Sequence, residues 1–370
     1  MTDEFLLFYL IRKALSLDSA DESAPPSLSN IDWENVIKEG RMQAISCVLF
    51  EGMCKIVENG ESSIDKKLML KWFSDVMMTE KANLLLNQAL SDINQIFSDS
   101  GIPFIVMKGQ VAASLYPNPM RRQPGDIDVL VYDGYFDKAC RILESIGGVI
   151  GEVAPEKHTE YIYKKITIEL HHSMIDLSNP QALKYISELN ISNFTETLTI
   201  TDFSVPCFTP ALNCVYMLSH MVHHLLTEGL GLRQVCDWML LMKGIECGRF
   251  GNIETIRKGI LEHLNGFQLR PAYEAFLALG IKNFNLSESI WKSCLSQKSG
   301  KNVQKLLRFI LNSGNFGRKN KKKKDSHNIG GNFSNALLYL RHIIKMRAIA
   351  PSEVKYFFPT RFKRWKNKKR

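Results

Sequence analysis

The sequence predicts an α+β protein in which a small mixed β-sheet core lies between a helical N-terminal scaffold and a helical C-terminal region. Two observations support this fold class. Short apolar segments with strand-like alternation are confined to the middle of the chain, in residues 101–209. On both sides of them, apolar residues recur every three or four positions, which is the period of an α-helix. With 370 residues, 45% of them hydrophobic, the chain is long enough for more than one domain.

The N-terminal scaffold, residues 1–100, has three segments of helical periodicity. They are residues 3–17, 31–57 and 64–99. The apolar spacing of the longest segment includes Trp72, Leu84 and Leu90, so we expect this helix to support the sheet with that face.

The beginning of the chain and its cysteines bear on the compartment. The first residues are acidic where a secretory signal needs basic residues, and their apolar run is too short to cross a membrane. The eight cysteines form no CxxC pair, which is typical of reduced thiols. These features predict a cytoplasmic protein without a transmembrane segment. The net charge is +9, but Lys and Arg crowd into residues 318–324 and 361–370, so the rest of the chain is slightly acidic.

Two carboxylates stand close together in the predicted sheet. An apolar strand at residues 104–107 is followed by a short helix, an Arg-bearing loop and a second strand at residues 126–131. Side chains alternate along a strand, so Asp126 and Asp128 share one face, opposite an apolar face. Neighbouring carboxylates repel each other unless a proton or a cation lies between them. Their oxygen ligands suit Mg²⁺ or Mn²⁺.

A third carboxylate fits the same site. Residues 161–171 alternate so that Glu169 and His171 share the polar face. A strand beside Asp126 and Asp128 would bring Glu169 to the same metal, and three such carboxylates meet the requirement of metal-dependent phosphoryl or nucleotidyl transfer. Glu169 would be a metal ligand or the base that accepts the proton of an acceptor hydroxyl. His171 would contact a phosphate or position Glu169.

Three further residues are candidates for phosphate binding. Lys108 and Gly109 lie where the first strand meets a helix, a place where backbone N–H groups and a Lys charge favour phosphate. Arg122, in the loop, is suited to clamping a triphosphate with two hydrogen bonds.

In combination these motifs resemble the uncharacterised bacterial nucleotidyltransferases of the DNA polymerase β-like superfamily. The matching positions are Lys108-Gly109, Tyr116-Pro117, Arg122, Asp126-x-Asp128, His158, Glu169-x-His171, His220, His224, Arg233 and Asp237. The resemblance spans roughly residues 60–245. It implies a nucleotidyltransferase core that uses Mg²⁺ or Mn²⁺ to move a nucleoside monophosphate from a nucleoside triphosphate to an acceptor hydroxyl, with release of pyrophosphate. Better-known relatives carry Gly-Ser where this chain has Lys108-Gly109.

The remaining chain is predicted to be helical in residues 210–314, which we expect to form the substrate cleft. His220 and His224 would line that cleft, belong to the polar core, or bind zinc as an HxxxH pair. Residues 315–332 read as a basic flexible loop. Residues 333–370 read as a terminal helix and a basic tail without regular structure. The aromatic and basic side chains of residues 361–370 are suited to RNA or an anionic membrane surface.

Three functional hypotheses follow from the sequence. The first is the nucleotidyltransferase, whose acceptor is left open between a small molecule, a sugar, RNA and a protein. The alternative is a non-catalytic nucleotide-binding protein whose basic tail docks RNA or a membrane, and the missing Ser hydroxyl beside Lys108 favours it. The third is metal-dependent phosphoester hydrolysis through the histidine helix.

Overall fold

A computed structural model describes residues 4–17, 28, 30–154, 158–175, 177–297, 299–317 and 340–368, and side chains only as far as residue 360. The chain forms two compact units. The sheet unit comprises Met1–Gly40, Ile45–Asp176 and Asn190–Pro210. The helical unit comprises Arg41–Ala44, Leu177–Leu189 and Ala211–Arg370. The basic loop assigned to residues 315–332 lies largely outside the described residues, and the fivefold division drawn from the sequence stays a prediction.

Six α-helices belong wholly or mainly to the sheet unit. They are α1 (Glu4–Leu15), α2 (Trp33–Gln43), α3 (Ser46–Glu58), α4 (Lys66–Asp99), α5 (Gly109–Ala113) and α6 (Phe136–Ser145). The side chain of Asp65 caps α4 by accepting a hydrogen bond from the backbone N–H of Leu68. α4 is 34 residues long, and its part within residues 86–97 belongs to the hydrophobic core of the sheet.

The α+β class is confirmed, and the sheet is mixed. Its strands are β1 (Phe104–Met107), β2 (Ile127–Val131), β3 (Val149–Ala154), β4 (His158–Tyr163) and β5 (Ile166–His171), in the spatial order β1-β2-β5-β4-β3. Only β2 and β5 pair in parallel; the other neighbours are antiparallel. A separate hairpin consists of β6 (Thr195–Ile200) and β7 (Phe203–Phe208).

One hydrophobic core joins the sheet to α4, α6 and the hairpin. Leu90 and Phe97 of α4 pack in the same cluster as Val129 of β2 and Leu170 of β5, and all four side chains are fully buried. Alternation along β2 and β5 therefore buries the apolar side chains beneath the sheet and leaves the intervening polar ones on the opposite face. This arrangement positions the candidate site.

Three local predictions for the sheet unit are wrong. Residues 31–57 form two helices, because the chain breaks at Ala44, which has a φ of 56°. Leu84 is 52% exposed, although its spacing placed it on the buried face of α4. Residues 161–171 are not one strand: Lys164 and Lys165, with φ angles of 49° and 67°, turn the chain between β4 and β5.

The helical unit contains α7 (Pro180–Glu188), α8 (Pro210–Leu226), α9 (Leu232–Glu246), α10 (Ile253–Phe267), α11 (Arg270–Asn283), α12 (Glu288–Trp291), α13 (Ser299–Ser313) and α14 (Pro351–Lys368). Its core includes Trp238, Tyr273 and Phe276, whose rings pack together. The tail predicted to lack regular structure is instead helical as far as Lys368. Within the described part of the chain, no helix combines the length and apolar character that a membrane crossing needs.

Candidate metal and phosphate site

The strand register brings the predicted acidic residues together. Asp128 of β2 lies directly opposite Glu169 of β5 in the parallel pairing, and Met107 of β1 lies opposite Asp128 on the other side. Asp126 comes immediately before the first residue of β2, so the strand starts one position later than the sequence predicted. One carboxylate oxygen from each of Asp126, Asp128 and Glu169 lies within 4.8 Å of the others.

These three side chains fit a hard divalent cation. Carboxylate oxygens are the ligands that Mg²⁺ and Mn²⁺ prefer, and the spacing allows one ion to contact all three. Asp128 is only 2% exposed, whereas Asp126 and Glu169 are half-buried. Asp126 and Glu169 therefore form the more exposed side of the cluster.

Two basic side chains contact Asp128 directly. Lys108 Nζ lies 2.8 Å from Asp128 Oδ1, and His171 Nε2 lies 3.0 Å from the same oxygen. Burial alone would raise the pKa of the Asp128 carboxyl, but the Lys108 charge and the His171 hydrogen bond outweigh it and hold the pKa well below its usual range. Asp128 is therefore ionised at neutral pH and already carries its own counter-charge.

Glu169 has the opposite electrostatic environment. Burial and the charges of Asp128 and Asp126 raise the pKa of its carboxyl, while a hydrogen bond from His171 partly opposes the shift. His171 Nε2 lies 3.1 Å from Glu169 Oε2, and His158 Nδ1 lies 3.5 Å from the same oxygen. A raised pKa makes Glu169 a better proton acceptor than an ordinary glutamate.

The turn between β1 and α5 has unusual backbone geometry. Lys108 has φ 44° and ψ −141°, a conformation that L-residues rarely adopt, and Gly109 has φ 45°. A Cβ on Gly109 would lie 3.4 Å from the carbonyl oxygen of Asp126. The turn thus holds Lys108 beside Asp128. Because α5 has only five residues, its dipole is small, and the charge available for a phosphate comes mainly from the Lys108 ammonium.

The two loop arginines have different surroundings. Arg121 pairs with Glu80 at 2.8 Å and with Glu51 at 3.1 Å, so it joins the loop to α3 and α4. Arg122 is 5% exposed, and its Nη1 donates to the carbonyl oxygen of Gln123 at 3.4 Å. Arg122 is held close to the chain turn that precedes Asp126, and its contact with a triphosphate stays a prediction.

Sequence reasoning missed the residues that position this loop. The side-chain amide of Asn83 donates to the carbonyl oxygens of Met120 at 2.7 Å and Arg122 at 2.8 Å. One turn further along α4, Asn87 accepts a hydrogen bond from the Gln110 amide. Two asparagines four residues apart on the apolar face of a long helix were the available signal, since polar groups on a buried face need partners.

The histidine helix belongs to the helical unit. His220 Nε2 and His224 Nε2 lie 2.9 Å apart within α8, and the ring of His224 packs edge-on against Phe316. Arg233 lies over the same Phe316 ring at 5.8 Å. Among the described residues, the groups of three or more candidate metal ligands lie elsewhere, so the HxxxH zinc hypothesis gains no third ligand. Whether α8 faces the substrate stays a prediction.

Comparison with known proteins addresses the chain as a whole. The model of a family described as uncharacterised nucleotidyltransferase matches residues 29–252, more than half of the sequence. The chain belongs to this nucleotidyltransferase family. The matched region contains every candidate site residue, from Lys108 to His171, and ends immediately before α10.

Two further comparisons add little. No curated protein matches the chain. A crystal structure of an antigenic nucleotidyltransferase-like protein from Paracoccidioides brasiliensis is 13% identical, and the alignment covers 56% of this chain and 96% of that chain with a TM-score of 0.33. This likeness is too weak to support a conclusion about the site.

Proposed function

We propose that the protein is a metal-dependent nucleotidyltransferase that moves a nucleoside monophosphate from a nucleoside triphosphate to an acceptor hydroxyl, with release of pyrophosphate. The observation that supports this reaction is the cluster of Asp126, Asp128 and Glu169 on two neighbouring strands, beside the Lys108 ammonium. Family membership supports the reaction class independently. The acceptor stays open between a small molecule, a sugar, RNA and a protein.

Asp126, Asp128 and Glu169 would hold Mg²⁺ or Mn²⁺. When bound, the metal supplies positive charge that neutralises the triphosphate and lowers the pKa of the acceptor hydroxyl. The Glu169 carboxylate accepts the proton of that hydroxyl. Lys108 exchanges its contact with Asp128 for one with a triphosphate oxygen, and Gly109 lets the phosphates approach the backbone. Arg122 binds the remaining phosphate charge, and His171 positions Glu169.

The exchange of Lys108 between Asp128 and phosphate couples nucleotide binding to metal binding at this site. Without substrate, the ammonium occupies the side of Asp128 where a cation would otherwise be held. A triphosphate carries more negative charge than one carboxylate, so it draws Lys108 away and leaves Asp128 available. On this reasoning the nucleotide and the metal bind together more tightly than either binds alone.

The test is transfer of label from a nucleotide. Purified protein is incubated with each of four α-labelled nucleoside triphosphates, Mg²⁺ or Mn²⁺, and a total cell extract. Asp126→Asn and Asp128→Asn should abolish transfer while circular dichroism shows an intact fold. Asp133→Asn is the matched control, because Asp133 is an exposed aspartate just beyond β2. Full turnover in both site variants would refute the assignment.

The same experiment separates the alternative function. Metal-dependent binding of a nucleotide without transfer in any extract fraction would favour a non-catalytic nucleotide-binding protein. The proposed docking of RNA or an anionic membrane by residues 361–370 concerns side chains outside the described residues. It is tested by deleting those ten residues and measuring binding to RNA and to anionic vesicles.

A further inference from the structure

A second group of candidate metal ligands adjoins the three carboxylates. His158, Glu169 and His171 each offer one ligand atom, and these atoms lie within 4.8 Å of one another. The two groups have only Glu169 in common. The second group differs in chemistry, because two of its three donors are imidazole nitrogens, which favour zinc and related transition metals over Mg²⁺.

The strands fix these three side chains on one face of the sheet. His158 of β4 is paired directly with His171 of β5, and Glu169 precedes His171 by two positions and therefore points to the same side. The side chains of His158 and His171 are 9% and 2% exposed, and that of Glu169 is 13% exposed. Ligands that project from paired strands hold their positions more closely than ligands on loops.

Two of the three distances between donor atoms suit a tetrahedral ion. Glu169 Oε2 lies 3.1 Å from His171 Nε2 and 3.5 Å from His158 Nδ1. Two ligands that bind Zn²⁺ at their usual bond lengths of about 2.0–2.1 Å, at a tetrahedral angle, are themselves about 3.3 Å apart. The two measured separations lie on either side of this value.

The surroundings of His171 Nε2 require either an N–H group or a metal ion at this nitrogen. This nitrogen faces Glu169 Oε2 at 3.1 Å and Asp128 Oδ1 at 3.0 Å. A bare nitrogen lone pair so close to two carboxylate oxygens is repulsive, so either a proton or a metal ion lies between them. A proton on Nε2 is the competing occupant, and the experiment below distinguishes the two.

We propose that His158, Glu169 and His171 bind a divalent transition metal of the zinc class, with a fourth position open to water or substrate. Two histidines, one carboxylate and an open position form a ligand set that also occurs in catalytic zinc sites. The site stands whether or not the protein transfers nucleotides. Because Glu169 belongs to both groups, a metal bound by the histidines also fixes one ligand of the carboxylate group.

The test is titration of the untagged, metal-free full-length protein with Co²⁺, which replaces Zn²⁺ and absorbs visible light when its coordination is tetrahedral. We expect a visible d–d spectrum that saturates at one Co²⁺ per chain and disappears when Zn²⁺ is added. His158→Gln should weaken Co²⁺ binding by more than about 10–100-fold, the loss typical of removing only an outer-shell partner. His172→Gln is the matched control, because His172 follows His171 directly in the chain and is not a proposed ligand. This variant should bind Co²⁺ like the unaltered protein.

Two further variants make the result unambiguous. Asp126→Asn should keep the Co²⁺ spectrum, because Asp126 belongs only to the carboxylate group; loss of nucleotidyl transfer in this variant leaves the histidine site intact. Absence of the spectrum in the unaltered protein, or an unchanged spectrum in His158→Gln, would overturn the proposal. So would strong sulfur-to-cobalt charge-transfer bands that vanish in Cys247→Ser, because Cys247 is an exposed free thiol.

Discussion

Removal of the Lys108 ammonium should destabilise the protein through its buried partner. At 2.8 Å from Asp128 Oδ1, the gross attraction is about 6 kcal/mol at an effective dielectric constant of about 20. The net effect of deleting one member of a buried pair is roughly 3–5 kcal/mol. His171 still binds Asp128 after the change, so we expect Lys108→Met to lower the free energy of unfolding by about 3 kcal/mol.

A double-mutant cycle isolates the pair. Asp128→Asn should cost less than Lys108→Met, about 1–3 kcal/mol, because the freed ammonium can reach solvent. The double variant should lose less than the sum of the two single losses, by a coupling energy of about 1–3 kcal/mol. Lys108→Gly is a further control: it removes the same charge but relieves the positive φ, so it should be less destabilising than Lys108→Met.

The assay is urea-induced unfolding in the presence of a chelator, followed by tryptophan fluorescence. Trp33 and Trp72 report on the sheet unit. Additive losses in the double variant would show that Lys108 and Asp128 do not interact as the structure indicates. Mn²⁺ should also stabilise Lys108→Met more than it stabilises the unaltered protein, because the cation no longer competes with the ammonium for Asp128.

Three other predictions concern stability. Gly52→Ala should cost several kcal/mol in urea unfolding, since the new Cβ would lie 2.2 Å from the carbonyl oxygen of Leu10; Gly300→Ala, with open space around it, should instead stabilise its helix by about 0.5–1 kcal/mol. Glu353→Ala should cost about 1–3 kcal/mol, because this buried carboxylate accepts hydrogen bonds from two backbone N–H groups just before α7; a midpoint equal to that of the unaltered protein would contradict this. Burial lowers the pKa of His263, so its contribution to stability is intact above about pH 6.5 and is lost as the pH falls through the lowered pKa; His263→Gln should flatten that part of the stability curve measured between about pH 5 and 8.

The parts of the site that depend on alternation were predictable from the sequence. The alternating pattern placed Asp128 and Glu169 on polar faces of strands whose other faces are apolar, and the structure pairs these two residues directly. Burial of the apolar face of each strand determines which side chains lie on the opposite face. This depends only on the residues of the strand itself. The number of strands was not predictable, because Lys164 and Lys165 form the β4–β5 turn without the Gly or Asn that usually marks such a turn.

Other errors arose where tertiary contacts overrule local preference. Leu84 continues the apolar spacing of α4, yet its side chain is 52% exposed. The aromatic and basic end of the chain was expected to be irregular, but α14 continues through Pro359 as far as Lys368. The loop of Arg122 is held by Asn83, which lies 39 residues earlier in the chain. No local sequence pattern predicts a contact between two residues so far apart in the chain.

The parallel pairing of β2 with β5 links the correctness of the fold to the presence of the site. A slip of one residue between these strands would turn Ile168 and Leu170 out of the core at the same time as it moved Glu169 away from Asp128. Any sheet that buries its apolar residues properly therefore also assembles its ligands. An insertion of one residue in either strand would disturb both, whereas a loop substitution that spares Asp126 leaves the register of β2 and β5 unchanged.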